Sequence, residues 1–443
     1  TLEQRHYAPD DARIGHSWGW LARAAIEQGR APQEVVPLAE KRLEIAEKHP
    51  EDAATLAAAL YLLGEQLLAA GRPEAAAPFL TRAETVLEGL GEASKGDLRI
   101  TRIRRGMALA ASGDKATAAR LLGDALTEYV RHFLMRSGAF VKQSEVYVTL
   151  KNRLAQSDPR AALQELAAFA RYYAKLLAPE QEPSKTLSAA LERINRLDVT
   201  TVYPFLLNVY DDYARHRLTE AGFLNVLRVL ENYLIRRFVC GAPTSELNKI
   251  FPYLHRQAQQ QDADDFVSSL ERLLQNKNYP SDAQFRARLP TVKLYGKGGL
   301  EKKSKFLLET LERSYHHQEP VDFAGLTIEH VMPQTLSDEW QAHLGADWRT
   351  IQDLYLHTLG NLTLTGYNSP LSNKSFAEKR GVFARSHLEL NRYFQNVDQW
   401  RPDDLQRRAE VLTERALQCW PYFGIVPEVV AEGLKVLEAA AAK

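Results

Sequence analysis

A glutamate and a histidine stand side by side at Glu329 and His330, with Asn361 and Asn368 further on and Lys379 after them. Hydrolysis of a phosphodiester needs an activated water, a divalent cation on the scissile phosphate and a group that stabilises the leaving oxygen. These residue types meet those needs. An imidazole such as His330 takes a proton from water near neutral pH. The carboxylate of Glu329 and the amide of Asn368 are hard oxygen donors. They suit Mg²⁺, or another divalent cation such as Mn²⁺; Mg²⁺ keeps several waters and needs one or two protein ligands. The Asn361 amide is available to fix a loop or the imidazole, and Lys379 to reach a phosphate. Taken singly, a Glu-His pair is usually an accident of surface or core, and an Asn beside a Gly is usually a turn residue. Their order is what gives them weight.

The elements that must position them can be read from the same stretch. Leu326-Thr327-Ile328-Glu329-His330-Val331-Met332 alternates apolar and polar residues and predicts a strand ending at Pro333. Leu362 to Leu364, set between Gly360 and Gly366, predicts a second short strand. Ser369-Pro370 predicts the start of a helix, with Ser as cap and Pro at the first helical position. Adjacent residues on a strand face opposite ways, so Glu329 and His330 reach one cation only if a bulge or twist intervenes. Strand, loop, strand and helix in this order are the outline of a ββα-metal site.

The stretch Ile328-Glu329-His330-Val331-Met332-Pro333-Gln334 is followed by His357-Thr358-Leu359-Gly360-Asn361-Leu362-Thr363-Leu364, then by Tyr367-Asn368 and by Leu371-Ser372-Asn373-Lys374-Ser375-Phe376-Ala377-Glu378-Lys379-Arg380. This resembles the HNH-type nuclease domain of the family called domain of unknown function 1524, the C-terminal half of GmrSD-like, modification-dependent (type IV) restriction enzymes. The resemblance implies His330 as general base, Glu329 and Asn368 as metal ligands and Asn361 as the orienting asparagine; Glu329 stands where many HNH enzymes carry Asp. His357, Asn373 and Lys379 also match the pattern. It extends upstream through Leu230 to Gly241, Thr244 and Leu247-Asn248-Lys249, and downstream to Trp400 and Cys419-Trp420-Pro421, covering roughly residues 131 to 422. GmrSD-type enzymes usually open with a ParB-like nucleotidase domain bearing an Asp-Gly-Gln-Gln-Arg-type motif. This sequence has neither that motif nor a Walker-type loop, so nucleotide dependence is not carried over. Gly296, Gly298 and Gly299 sit among lysines without a strand-then-helix setting and predict a flexible loop.

With 443 residues, two or three domains are expected. Positive and negative side chains balance at 56 each, which provides no global field for nucleic acid and leaves that task to a local patch. Cys240 and Cys419 lie far apart without metal-ligand spacing, which favours a reducing compartment and excludes a zinc-stapled HNH domain. No apolar run approaches the about 20 residues of a membrane span, and no signal peptide is visible. The expected location is the bacterial cytoplasm.

Gly29, Gly71 and Gly113 recur at intervals of 42 residues, each after an amphipathic helical run, and each is preceded by a small residue, Ala22, Gly64 or Gly106. Glycine ends the first helix of a pair, and small residues let paired helices approach. The pattern resembles the longer tetratricopeptide repeats (TPR), whose concave face suits a protein or peptide partner. His16, Trp18 and Trp20 near the first helix read as packing. Residues 1–130 are therefore expected to form TPR-like repeats, 131–280 a helical middle region, and 281–443 an HNH nuclease domain with C-terminal helices.

Arg286, Arg288, Lys293, Lys297, Lys302, Lys303 and Lys305 make a basic stretch, and Lys374, Lys379, Arg380 and Arg385 follow the motif. Each alone reads as a solvated charge. As a set, with Lys297, Lys302, Lys303, Lys305, Lys374 and Arg380 foremost, they are the candidate phosphate contacts. His316-His317 reads as a solvated turn. The expectation is thus a mainly α protein: TPR-like repeats, then a helical domain carrying a small ββα-metal element that cleaves DNA with Mg²⁺. Since one such centre cuts one strand, a homodimer would give a double-strand cut. The alternatives are a TPR scaffold whose HNH fold only grips nucleic acid, and an RNase or toxin built on the same chemistry.

Overall fold

The computed structural model describes residues 11–263, 265–296, 300–315, 321, 323, 325–366, 371 and 373–423. The chain is mainly helical, with one small two-stranded sheet among the described residues. Six helices come first: α1 (Ala12–Glu27), α2 (Pro32–Ala46), α3 (Ala53–Ala69), α4 (Pro73–Gly89), α5 (Lys95–Ser112) and α6 (Lys115–Met135). Gly29, Gly71 and Gly113 follow α1, α3 and α5 with φ of 70°, 72° and 98°. Only glycine takes that conformation without strain, so each lets the chain reverse into the next helix. A Cβ on Gly64 would lie 2.6 Å from Leu80 Cγ, and one on Gly106 would lie 2.8 Å from Leu122 Cγ. Bare backbone at these two places lets the second helix of a pair close onto the first. Ala22, the equivalent residue of the first pair, is fully buried. The core of this array is small and aliphatic, built from Ala39, Leu60, Leu63, Leu67, Leu80 and Ala83 among others.

The middle of the chain runs through α7 (Val146–Ala155), α8 (Pro159–Leu177), α9 (Lys185–Arg196), α10 (Tyr203–Ala214), α11 (Glu220–Val239), α12 (Leu247–Gln261) and α13 (Phe266–Gln275). Next come α14 (Asp282–Arg288), α15 (Leu300–Arg313), β1 (Thr327–His330), α16 (Asp338–Leu344), α17 (Trp348–Tyr355), β2 (Leu362–Thr365), α18 (Phe376–Phe383), α19 (Glu389–Arg392) and α20 (Pro402–Cys419). The core crosses residue 280 without a break: Phe205, Tyr233 and Phe251 belong to the same cluster as Phe285, Leu307, Leu362 and Leu412. Arg236, fully buried on α11, helps to close it by donating to the carbonyls of Pro280 and Trp420. A second cluster behind the strands joins Met332, Trp340, Phe376, Phe394 and Trp400.

β1 and β2 pair antiparallel from Thr327↔Thr365 to His330↔Leu362. The first strand stops at His330, three residues short of the expected Pro333, because its partner gives way to a 3-10 turn at Leu359–Asn361. The Val331 N–H still reaches the Asn361 carbonyl at 3.0 Å, but the ladder goes no further. The helix expected from Ser369-Pro370 falls outside the described residues. The described helix α18 starts at Phe376 behind a capping box: Ser375 Oγ accepts from the Glu378 N–H, and Glu378 Oε2 accepts from the Ser375 N–H at 3.0 Å.

α15 links the array to the strands. Its Lys302 pairs with Asp97 of α5, while its apolar face packs into the core beside β1 and β2. Arg23 to Glu192 at 3.0 Å and Arg104 to Glu180 at 3.2 Å tie the array to α9 and the turn before it. Between array and core lies a groove of about 4090 Å³, lined by Trp20, Met107, Arg196, Tyr295 and Lys305 among others.

Candidate active site

The sheet brings the predicted residues together in two pairs. The β1–β2 register is regular, without the bulge expected at Glu329 and His330. The two side chains consequently leave on opposite faces, as an unbroken pleat requires. Glu329 points to α18, where Lys379 Nζ donates to its Oε1 at 2.6 Å and to the His330 carbonyl oxygen at 2.7 Å. His330 points the other way, with Nε2 3.0 Å from Nδ1 of His357.

Three of these four side chains are withdrawn from water, and His357 is half-buried. Lys379 is fully buried, Glu329 is 9% exposed and His330 is 5% exposed. Burial raises the Glu329 carboxyl above its ordinary range, against the pull of the Lys379 ammonium. It also lowers Lys379, which Glu329 counteracts. For this pair desolvation outweighs attraction on both sides. Burial, then His357 and Lys379, push the His330 imidazole down to about 3, and burial followed by Lys293 lowers His357. Both rings are therefore neutral near pH 7. Lys379 does not project toward solvent as a free phosphate hook; its ammonium turns inward to Glu329, contrary to the reach expected of it.

Asn361 is the best-satisfied side chain here. Its Oδ1 accepts from the Met332 N–H at 2.7 Å and from Trp400 Nε1 at 3.1 Å. Its Nδ2 donates to the carbonyls of Met332 and Leu356, both at 2.9 Å. Of the two tasks expected of this amide, it performs the first: it fixes the loop after β1 and makes no contact with the imidazole. The turn that carries it is held from behind by Arg408, fully buried on α20, whose Nη1 donates to the carbonyls of Gly360 at 2.8 Å and Leu362 at 2.7 Å.

Gly360 explains why that turn can sit so close. A Cβ there would stand 2.1 Å from the Leu405 carbonyl oxygen, which belongs to the backbone of α20 and cannot swing away. Gly360→Ala should therefore cost about 3 kcal/mol or more. Urea unfolding measures this; stability equal to the wild type would mean α20 can move off the turn freely.

The remaining predicted residues that are described do not converge on these pairs. Asn368 and Lys297 lie outside the described residues, as do His316 and His317. Asn373 and Lys374 are exposed ahead of α18. On α15, Lys302 is engaged by Asp97, Lys305 lies 3.9 Å from Glu309, and Lys303, half-buried, rests 5.5 Å over the Phe238 ring. Each of the three is engaged by a protein group, and Lys302 and Lys305 line the groove, which also reaches Thr327 and Ile328 of β1. Arg380 is held by Asp398 at 2.7 Å and by the Val397 carbonyl. The basic stretch is contiguous in sequence but spread out in space.

The sequence reading missed Tyr295. Its ring meets His330 edge-on at 4.6 Å and stacks at 25° on His357, 5.6 Å away. Leu294 N–H donates to the His357 carbonyl at 2.7 Å, which seats the segment. No periodicity marks this residue; only the tertiary hydrogen bond beside it does.

A divalent cation was expected at Glu329 and Asn368. Among the described residues no three of His, Cys, Asp or Glu converge to hold one. Glu329 brings one hard carboxylate, the donor type such a cation prefers, with one oxygen already facing an ammonium. A single carboxylate paired with an ammonium does not make a closed protein cage for a cation.

Residues 279–415 match the family model described as GmrSD restriction endonucleases, C-terminal domain. The matched segment takes in both strands, α18 and most of α20, and points to a restriction-type nuclease role for this part of the chain. No curated protein matches the chain. Among the described residues, no helix is long and apolar enough to cross a membrane.

Proposed function

We propose that the chain is a metal-dependent endonuclease of the HNH type that cleaves DNA, with foreign or modified DNA as its target in bacterial defence. The observation that carries this is the family match over 279–415, which takes in the two-stranded sheet with Glu329 and His330 on β1 and Asn361 on the turn leading into β2. Mg²⁺, when bound through Glu329 and Asn368, would polarise the scissile phosphate; because Glu329 and His330 leave β1 on opposite faces, bringing cation and base to one phosphate requires the end of the strand to twist on substrate binding. His330 is neutral at working pH and has a lone pair for a proton; burial weakens it as a base, and a bound anionic phosphate would raise its affinity for the proton. With Nε2 engaged by His357, Nδ1 is the ring nitrogen left for that task. Lys379 ties the Glu329 carboxylate to the backbone at His330 and so holds the proposed metal ligand in place on the strand. Asn361 acts through position alone, by pinning the chain at Met332. The first 130 residues serve partner binding: the groove under the array carries exposed apolar side chains such as Trp20 and Met107, and nearly balanced charge, which suits a polypeptide better than a phosphate backbone.

The test is nicking of supercoiled plasmid with and without Mg²⁺, wild type beside His330→Ala, with DNA and RNA offered in parallel. Cleavage of DNA that needs the cation and is lost in the variant, with DNA binding kept, is the expected result. Equal activity in the variant would remove His330 from the chemistry, and preference for RNA would favour the ribonuclease reading.

A further inference from the structure

The histidine pair reaches further than the general-base assignment. His330 Nε2 and His357 Nδ1 lie 3.0 Å apart, a distance that requires one proton between them. That hydrogen stands on one nitrogen or on the other. The surroundings hold both rings still. Tyr295 packs edge-on against one and stacks on the other, and the His357 backbone is tied to Leu294 by a 2.7 Å hydrogen bond.

We infer that His357 is a positioning residue that accepts the Nε2 hydrogen of His330, fixing His330 as a single tautomer with an open lone pair on Nδ1. The step rests on the hydrolytic reading in one respect: a base needs a lone pair directed away from its partner. Were the proton on His357 instead, His330 would carry its own hydrogen on Nδ1 and have no acceptor left. Orientation of an imidazole by a neighbour that fixes its tautomer is a general device for a base that works neutral. Here a second imidazole does it where a carboxylate or a backbone carbonyl is more usual.

Two substitutions separate the hydrogen bond from the packing. His357→Phe keeps a ring for Tyr295 to stack on and removes the acceptor. His357→Asn places an amide oxygen near the position of Nδ1 and keeps the acceptor. With the protein labelled by ¹⁵N in its histidine rings, and His330 signals identified by their loss in His330→Gln, the ring-nitrogen shifts report the tautomer without any catalysis. The wild type should show hydrogen on Nε2 alone. His357→Phe should show a mixture, with kcat on plasmid DNA down on the order of 100-fold and KM unmoved. His357→Asn should restore the single tautomer and most of kcat.

Hydrogen on Nδ1 in the wild type, or an unchanged His330 pattern in His357→Phe, overturns the inference; the wild-type spectrum suffices for this even if the phenylalanine variant does not fold. A wild type that shows the fixed tautomer yet cleaves no nucleic acid would support the positioning role and count against the nuclease reading, so the two fail separately.

Discussion

Lys379→Met should destabilise the protein by about 3–5 kcal/mol, and adding Glu329→Gln should recover most of that loss. The ammonium is fully buried and is the partner of Glu329 Oε1 at 2.6 Å, so removing it strands a carboxylate that keeps only 9% of its surface. A buried charge without its partner costs several kcal/mol, whereas a pair replaced on both sides by neutral groups of similar shape is often tolerated. The pH dependence has a definite sign. Burial already raises the Glu329 carboxyl, and taking away Lys379 removes the one influence that lowers it. A carboxyl raised in the folded state binds more protons there than in the unfolded chain. Its folded form is therefore favoured below the unfolded value, about 4.3, and that advantage is lost as pH climbs to the raised value. The deficit of Lys379→Met should then be largest near neutrality and shrink toward pH 4. Urea unfolding of the wild type, both single variants and the double variant at two pH values measures it. A deficit indifferent to pH, or a double variant no better than Lys379→Met, would show that Glu329 is not stranded by the loss.

The two strands, the chemistry-bearing residues on them and the glycine-marked helix pairs were legible because each leaves a local signature. Alternation and β-branching mark Leu326 to His330, and Leu362 to Leu364 stand out between glycines. Glycine after a helix announces the positive φ that Gly29, Gly71 and Gly113 adopt. What stayed hidden depends on distant chain. Strand β1 was read as running to Pro333, yet its length is set by the turn at Leu359–Asn361, some thirty residues on. Gly360 was read as a strand boundary, while its tightest constraint is the Leu405 carbonyl of α20. The lysines of α15 were read as a set because they are near each other in sequence. A helix sends successive side chains to different faces, and here one meets Asp97, one a phenylalanine ring and one Glu309. Tyr295 gave no signal at all, since what places it is its contact with two histidines on other elements.

Asn361→Ala should be nearly as damaging as the loss of Lys379, at about 3–5 kcal/mol, and for a reason that separates position from chemistry. The substitution leaves two donors, the Met332 N–H and Trp400 Nε1, and two acceptors, the carbonyls of Met332 and Leu356, without their partner. Each buried polar group left unpaired costs about 1–3 kcal/mol, and water entering the space would offset part of the sum. Asn361→Asp should fare no better: it keeps an acceptor for the two donors but turns a second oxygen toward two carbonyls. The consequence for activity follows from the chain path. Val331, next to His330, donates to the Asn361 backbone, while the Asn361 side chain holds Met332 on both its N–H and its C=O. Freeing that grip lets the end of β1 move, and His330 with it. Cleavage should thus fall together with stability, and should recover in part when the variant is assayed at low temperature, where the fold is more populated. A stable Asn361→Ala protein that has lost cleavage would mean the amide touches the reacting atoms. The four hydrogen bonds it spends on the protein leave it little capacity to do so.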